Sequence, residues 1–160
     1  MKKKLVLFIT VWMSVMAVQA QGVIAFHGGY GFNVNHGAHP SGLVFTLDSY
    51  KNHAMFGMGV KFPSNYDGQF GVDVHGGVNF LWDNFMLSPH GIIGYSHSSS
   101  SEVKVSPLQL GAGLQACYKV YGPVGVFAKV SYLAPVRFEP LGFGSGTTTI
   151  SFGLTMFWFR

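Results

Sequence analysis

Charge is what this sequence has least of. Lys, Arg, Asp and Glu together make up 10% of the chain, where an average soluble domain carries about a quarter. So few charges exclude an ordinary water-soluble surface. Cysteine is nearly absent as well: Cys117 stands alone, which rules out a disulfide framework and leaves it as a small inward-facing filler. After residue 20 no apolar run approaches the roughly 20 residues of a transmembrane helix. A surplus of basic charge is missing too, once the first residues are set aside. The chain is +4, but Lys2, Lys3 and Lys4 belong to a leader, leaving seven basic against six acidic side chains. That balance gives no electrostatic footprint for a nucleic acid, and none is expected as a partner. No Gly-x-Ser-x-Gly elbow, Walker loop or dinucleotide fingerprint occurs in a suitable context, so no cofactor is expected.

The leader is the first positive feature. Three lysines precede an apolar run from Leu5 to Val18 that is too short to span a bilayer, and Ala17-Val18-Gln19-Ala20 places small residues where a signal peptidase cuts. Residues 1–20 are expected to be a cleavable Sec signal peptide, and 21–160 a single domain beyond it. Gln21, not a cysteine, stands directly after the cut, which argues against a lipid anchor.

Strict alternation runs through that domain. Ile24, Phe26, Tyr30 and Phe32 fall on one face, His27, Gly29, Gly31 and Asn33 on the other. Phe70, Val72, Val74, Val78, Phe80 and Trp82 alternate with Gln69, Gly71, Asp73, His75, Gly77 and Asn79, and Ile150 to Trp158 repeats the pattern. Further strands are expected at 42–49, 54–62, 85–96, 104–119 and 124–134. Pro89 sits awkwardly inside one of them, and Ser106-Pro107 reads as a bulge or a kinked strand end. The links alternate in length: Asn35–Ser41, Pro63–Gly68, His97–Val103 and Ala134–Gly146 are long, whereas Tyr50–His53, Asp83-Asn84 and Tyr121–Pro123 are tight. An apolar chain with two-faced strands and this asymmetry predicts an all-β, transmembrane, antiparallel up-and-down barrel of eight strands, apolar side outward. Aromatic girdles are expected at both interfaces: Tyr50, Trp82, Phe85, Tyr118 and Trp158 beside the tight turns, Tyr95 and Tyr132 beside the long loops.

In this order of elements, residues 22–160 resemble the small eight-stranded outer-membrane proteins of the OmpA/OmpX type, most of all in the final alternating stretch from Thr147 to Arg160. The resemblance implies an outer-membrane location, contact with membrane lipid and lipopolysaccharide, and recognition of the last strand by the barrel-assembly machinery. In that family the chain ends on an aromatic residue, whereas here Arg160 follows Trp158 and Phe159.

An eight-stranded barrel is filled by its own side chains. Asp48, Lys61, Asp73, His75, His90, Lys119 and Lys129 are the expected interior polar network, with Gln109 and Gln115 beside them, and opposite charges there must pair. Asp73 with Lys61 or Lys129 is the pairing expected. His36 and His39 share one loop, but two imidazoles without a third ligand fall short of a metal site. His97 and Ser99 look like the His-x-Ser element of PagL-type lipid A deacylases, with Glu102 as an acid in the same loop; in that family an Asn follows the serine, where Ser100 stands here. The resulting expectation is a barrel with a structural, adhesive or envelope-interaction role, meeting an extracellular partner through loops such as the apolar 134–146 segment. A lipid A acyl hydrolase is the alternative, and a secreted lipid-binding barrel with an apolar lumen is another.

Overall fold

Ten strands make up a computed structural model of the chain, which describes residues 22–35, 37–65, 69–98, 108–138 and 141–159. They are β1 (Val23–Asn33), β2 (His39–Lys51), β3 (Ala54–Pro63), β4 (Gln69–Val78), β5 (Phe80–Trp82), β6 (Phe85–Ser98), β7 (Leu108–Tyr121), β8 (Val124–Phe138), β9 (Leu141–Phe143) and β10 (Thr147–Phe159). All pairings are antiparallel: β1 to β4 pair in sequence order, β4 pairs with β6, β6 to β8 follow in order, and β10 pairs with both β8 and β1. The last ladder runs from Val23↔Phe159 to Asn33↔Thr149 and closes the sheet on itself. β5 continues β4 along the same edge of β6, and β9 folds back on the end of β8. The result is a closed barrel of eight staves. Closure gives each stave a neighbour on both sides, which is what a sheet surrounded by hydrocarbon requires.

Three two-residue turns gather at the end of the barrel that also holds Val23 and Phe159. Each begins with a residue in the left-handed region: Asn52 (φ 54°), Asp83 (φ 44°) and Gly122 (φ 54°). Asn and Asp tolerate that conformation better than other residues with a side chain, and glycine adopts it without cost. The longer connections all lie at the opposite end.

Pro89 does lie within a strand. It pairs with Leu114 on one side of β6, and on the other the ladder is interrupted between Val78 and Phe80, where the proline has no N–H to give. Register is unchanged across the gap, Gly77↔His90 before it and Phe80↔Leu87 after it. Ser88 spans the gap by donating to Asn79 Oδ1 at 3.0 Å. Several strand boundaries move, two of them by three residues or more among the described residues. β2 begins at His39, because the β1–β2 hairpin runs on past a bulge at Gly31/Phe32. β8 reaches Phe138, and Val136↔Phe143 to Phe138↔Leu141 form a short ribbon where a plain loop was expected. Ser106-Pro107 lies outside the described residues.

The two faces separate as the alternation predicts. Leu154 (64% exposed), Ile93 (59%) and Phe152 (53%) point out of the wall, while His27, Asp48 and Gln115 are fully buried inside. This orientation contradicts the apolar lumen of a lipid-carrying barrel.

Candidate functional site

The lumen is built in layers. At the tight-turn end Ala25, Tyr50, Met55, Met86, Cys117, Phe127 and Phe157 pack into an apolar plug. Tyr50 corrects the girdle assignment: it shares parity with Thr46 and Asp48 on β2 and is 3% exposed, so it lies inside, not at the lipid interface. Its neighbourhood to a turn suggested an interface; the two-residue period overrides that.

Above the plug sits a polar layer centred on Asp48. Its Oδ2 accepts from Tyr50 OH at 3.0 Å and from Gln115 Nε2 at 2.7 Å, and lies 3.0 Å from His27 Nε2. Its Oδ1 is 2.8 Å from His75 Nε2, and His75 Nδ1 is 2.7 Å from Asp73 Oδ1. Ionised carboxylates only accept, so an imidazole held between two of them satisfies both only with a proton on each nitrogen. His90 packs beside this group, its ring centroid 5.1 Å from that of His75, and donates from Nδ1 to the Ser88 carbonyl at 2.8 Å.

Glycine makes these contacts sterically possible. The cross-strand row Asp48–Gly57–His75 puts a residue without a side chain between two that meet over it, and Thr46–Gly59–Asp73 repeats the device one step along. A Cβ on Gly57 would strike Asp48 Oδ1 and His75 Nε2; one on Gly59 would strike the Asp73 carboxylate. Small and large residues alternate across facing strands, as the filling of a narrow barrel demands.

Toward the loop end the lumen opens into a cup of about 80 Å³ whose walls include Lys61, Asp73, Gln109, Lys129 and Ser131. Lys129 is 4% exposed. Asp73 finds its direct partner in His75, while Lys129 acts on it through space across the cup. Lys119 lies half-buried near the tight turn that follows β7.

On the outer face, Trp82, Phe85, Tyr118 and Trp158 are exposed toward the tight-turn end, with Trp82 stacked on Phe85 at 6.0 Å. Tyr95 and Tyr132 are exposed toward the loop end. His97 is exposed on the outer wall opposite Phe70; Ser99 and Glu102 lie outside the described residues. His39 is exposed at the start of β2, and His36 also falls outside the described residues. Among the described residues no group of three or more His, Cys, Asp or Glu is placed to hold a metal ion.

Two members of the polar layer escaped the sequence reading: His27 and Tyr50. Both carried a usable signal, since each occupies the inward parity of its strand between inward neighbours.

Comparison with known proteins gives the fold and stops there. No protein-family model and no curated protein matches the sequence. Solved structures do match in shape. A de novo designed transmembrane β-barrel superposes with a TM-score of 0.58 at 11% identity, over 86% of this chain and 96% of the other. Neisserial surface protein A superposes with a TM-score of 0.55 at 13% identity, over 86% and 97%. A second designed barrel, solved by solution NMR, gives 0.50 at 15% identity, over 84% and 93%. This chain has the architecture of small transmembrane β-barrels.

Proposed function

We propose that the chain is exported through the Sec pathway, loses residues 1–20, and is inserted in the outer membrane of a Gram-negative bacterium. There it serves as a structural or adhesive barrel that engages an extracellular partner through its loop end. One observation carries this reading: the wall is apolar, side chains pack the lumen, and the longer connections all join strand ends at one end of the barrel. Membrane lipid and lipopolysaccharide are the partners of the wall. The alternating strand β10, which closes the barrel against β1, is the segment through which the assembly machinery would engage the chain.

The experiment replaces the 64–68 and 99–107 connections, separately, with two-residue Asn-Gly turns. Folding is scored by whether the band still shifts on boiling in SDS, and function by binding of expressing cells to host-cell or matrix surfaces. The reading predicts retained folding with at least one replacement abolishing surface binding. Unchanged binding by both folded variants would overturn it.

A further inference from the structure

We propose that the cup at the loop end of the lumen binds a small oxyanion, a carboxylate or a phosphate, seated on Lys129. The inference starts from a cation in the lumen that has no direct partner. Lys129 projects inward from β8 and is 4% exposed, yet among the described residues its ammonium donates no hydrogen bond and reaches no carboxylate within ion-pair distance. A lone buried charge is expensive, and buried cations are held by an opposite charge or by acceptors.

No acceptor nearby holds the ammonium. Gln115, the register partner of Lys129 on β7, donates its amide nitrogen to Asp48 at 2.7 Å, and its Oε1 has no hydrogen-bond partner. Asp73 rims the same cup, but its Oδ1 is taken by His75 at 2.7 Å. The other inward neighbours of Lys129 are hydroxyls. Ser151 is its partner on β10, and Ser131 with Thr149 forms the next inward pair along the same two strands. All three line the cup. An ammonium with hydroxyl donors beside it suits an acceptor-only ligand that carries negative charge.

Size and access narrow the ligand further. The cup's volume of about 80 Å³ accommodates on the order of five water-sized positions, close to the heavy-atom count of acetate or phosphate. The apolar plug shuts the tight-turn end, and the closed wall shuts the lumen off from lipid. The ligand therefore enters from water at the loop end, as a free ion and not as a lipid headgroup.

The test uses the chain from residue 21 refolded in detergent micelles, with folding verified by the boiling-dependent gel shift. Sodium phosphate and sodium acetate are titrated at constant ionic strength against sodium chloride, following amide chemical shifts of Lys129, Ser131, Thr149 and Ser151. Saturable shifts at these residues with at least one oxyanion, absent with chloride, are the expected result. Lys129→Met should weaken binding about tenfold or more, the loss of one charge-assisted contact, while Lys129→Arg should stay within a few-fold. Equal shifts with chloride, no saturable shift with either oxyanion, or unaltered affinity in a folded Lys129→Met variant would each overturn the proposal. If Lys129→Met fails to fold, the wild-type titration and Lys129→Arg still decide: binding lost in the folded Arg variant, or never seen in the wild type, overturns it.

Discussion

At the scale of single residues, the polar layer depends as much on what is missing as on what is present. Asp48 and His75 meet because Gly57 stands between them with no side chain. Gly57→Ala places a methyl group where Asp48 Oδ1 and His75 Nε2 now lie, so the contact must open and leave buried polar atoms unsatisfied. The expected cost is about 1–3 kcal/mol, read as a lower urea midpoint for the heat-shifted band; a midpoint equal to the native chain would show that the layer contributes nothing. Much of this layer was legible in the sequence. Asp48, Asp73, His75, His90 and Lys129 follow from alternation alone, because a charged residue in register with glycines has only the lumen to face. Tyr50 was misplaced because an aromatic residue beside a turn satisfies two rules at once, interface enrichment and inward parity, and parity wins. The partner choice of Asp73 was not legible. It depends on how far the staves tilt and which side chains meet over Gly59, neither of which is written along a single strand.

Elements were easier to read than contacts. The tight turns at Asn52-His53, Asp83-Asn84 and Gly122-Pro123 each open on a residue able to take positive φ, and that chemistry marks the turn before any coordinates exist. Asn52→Val forces a β-branched residue into the left-handed region and should destabilise the barrel by about 1–2 kcal/mol, while Asn52→Gly should be tolerated; comparing urea midpoints of the two variants checks this. Strand ends on the loop side were less legible. β8 runs on to Phe138 and recruits β9, because hairpin pairing propagates as long as two chains alternate past each other. Pro89 is a proline that a strand absorbs at the cost of one interruption in its ladder.

For the whole molecule, one question governs the rest: whether the exposed apolar wall is a lipid-facing wall. Leu154 stands near the middle of β10 and is 64% exposed, a site where arginine would cost little in water. In a bilayer, Leu154→Arg should destabilise by about 2–4 kcal/mol, measured by urea unfolding from lipid vesicles; an effect under about 0.5 kcal/mol would speak against hydrocarbon at that position. Low charge, two-faced strands and alternating connection lengths together predicted this architecture, since each constraint alone fits other folds and only a membrane barrel meets all three. Partner identity was not legible, because loop chemistry carries no period to read. The most direct test of the central claim is gel mobility of the expressed chain in the outer-membrane fraction, unheated and boiled in SDS. The account predicts a band in that fraction whose mobility changes on boiling, the mark of a compact closed barrel. A soluble periplasmic product with no shift would contradict it.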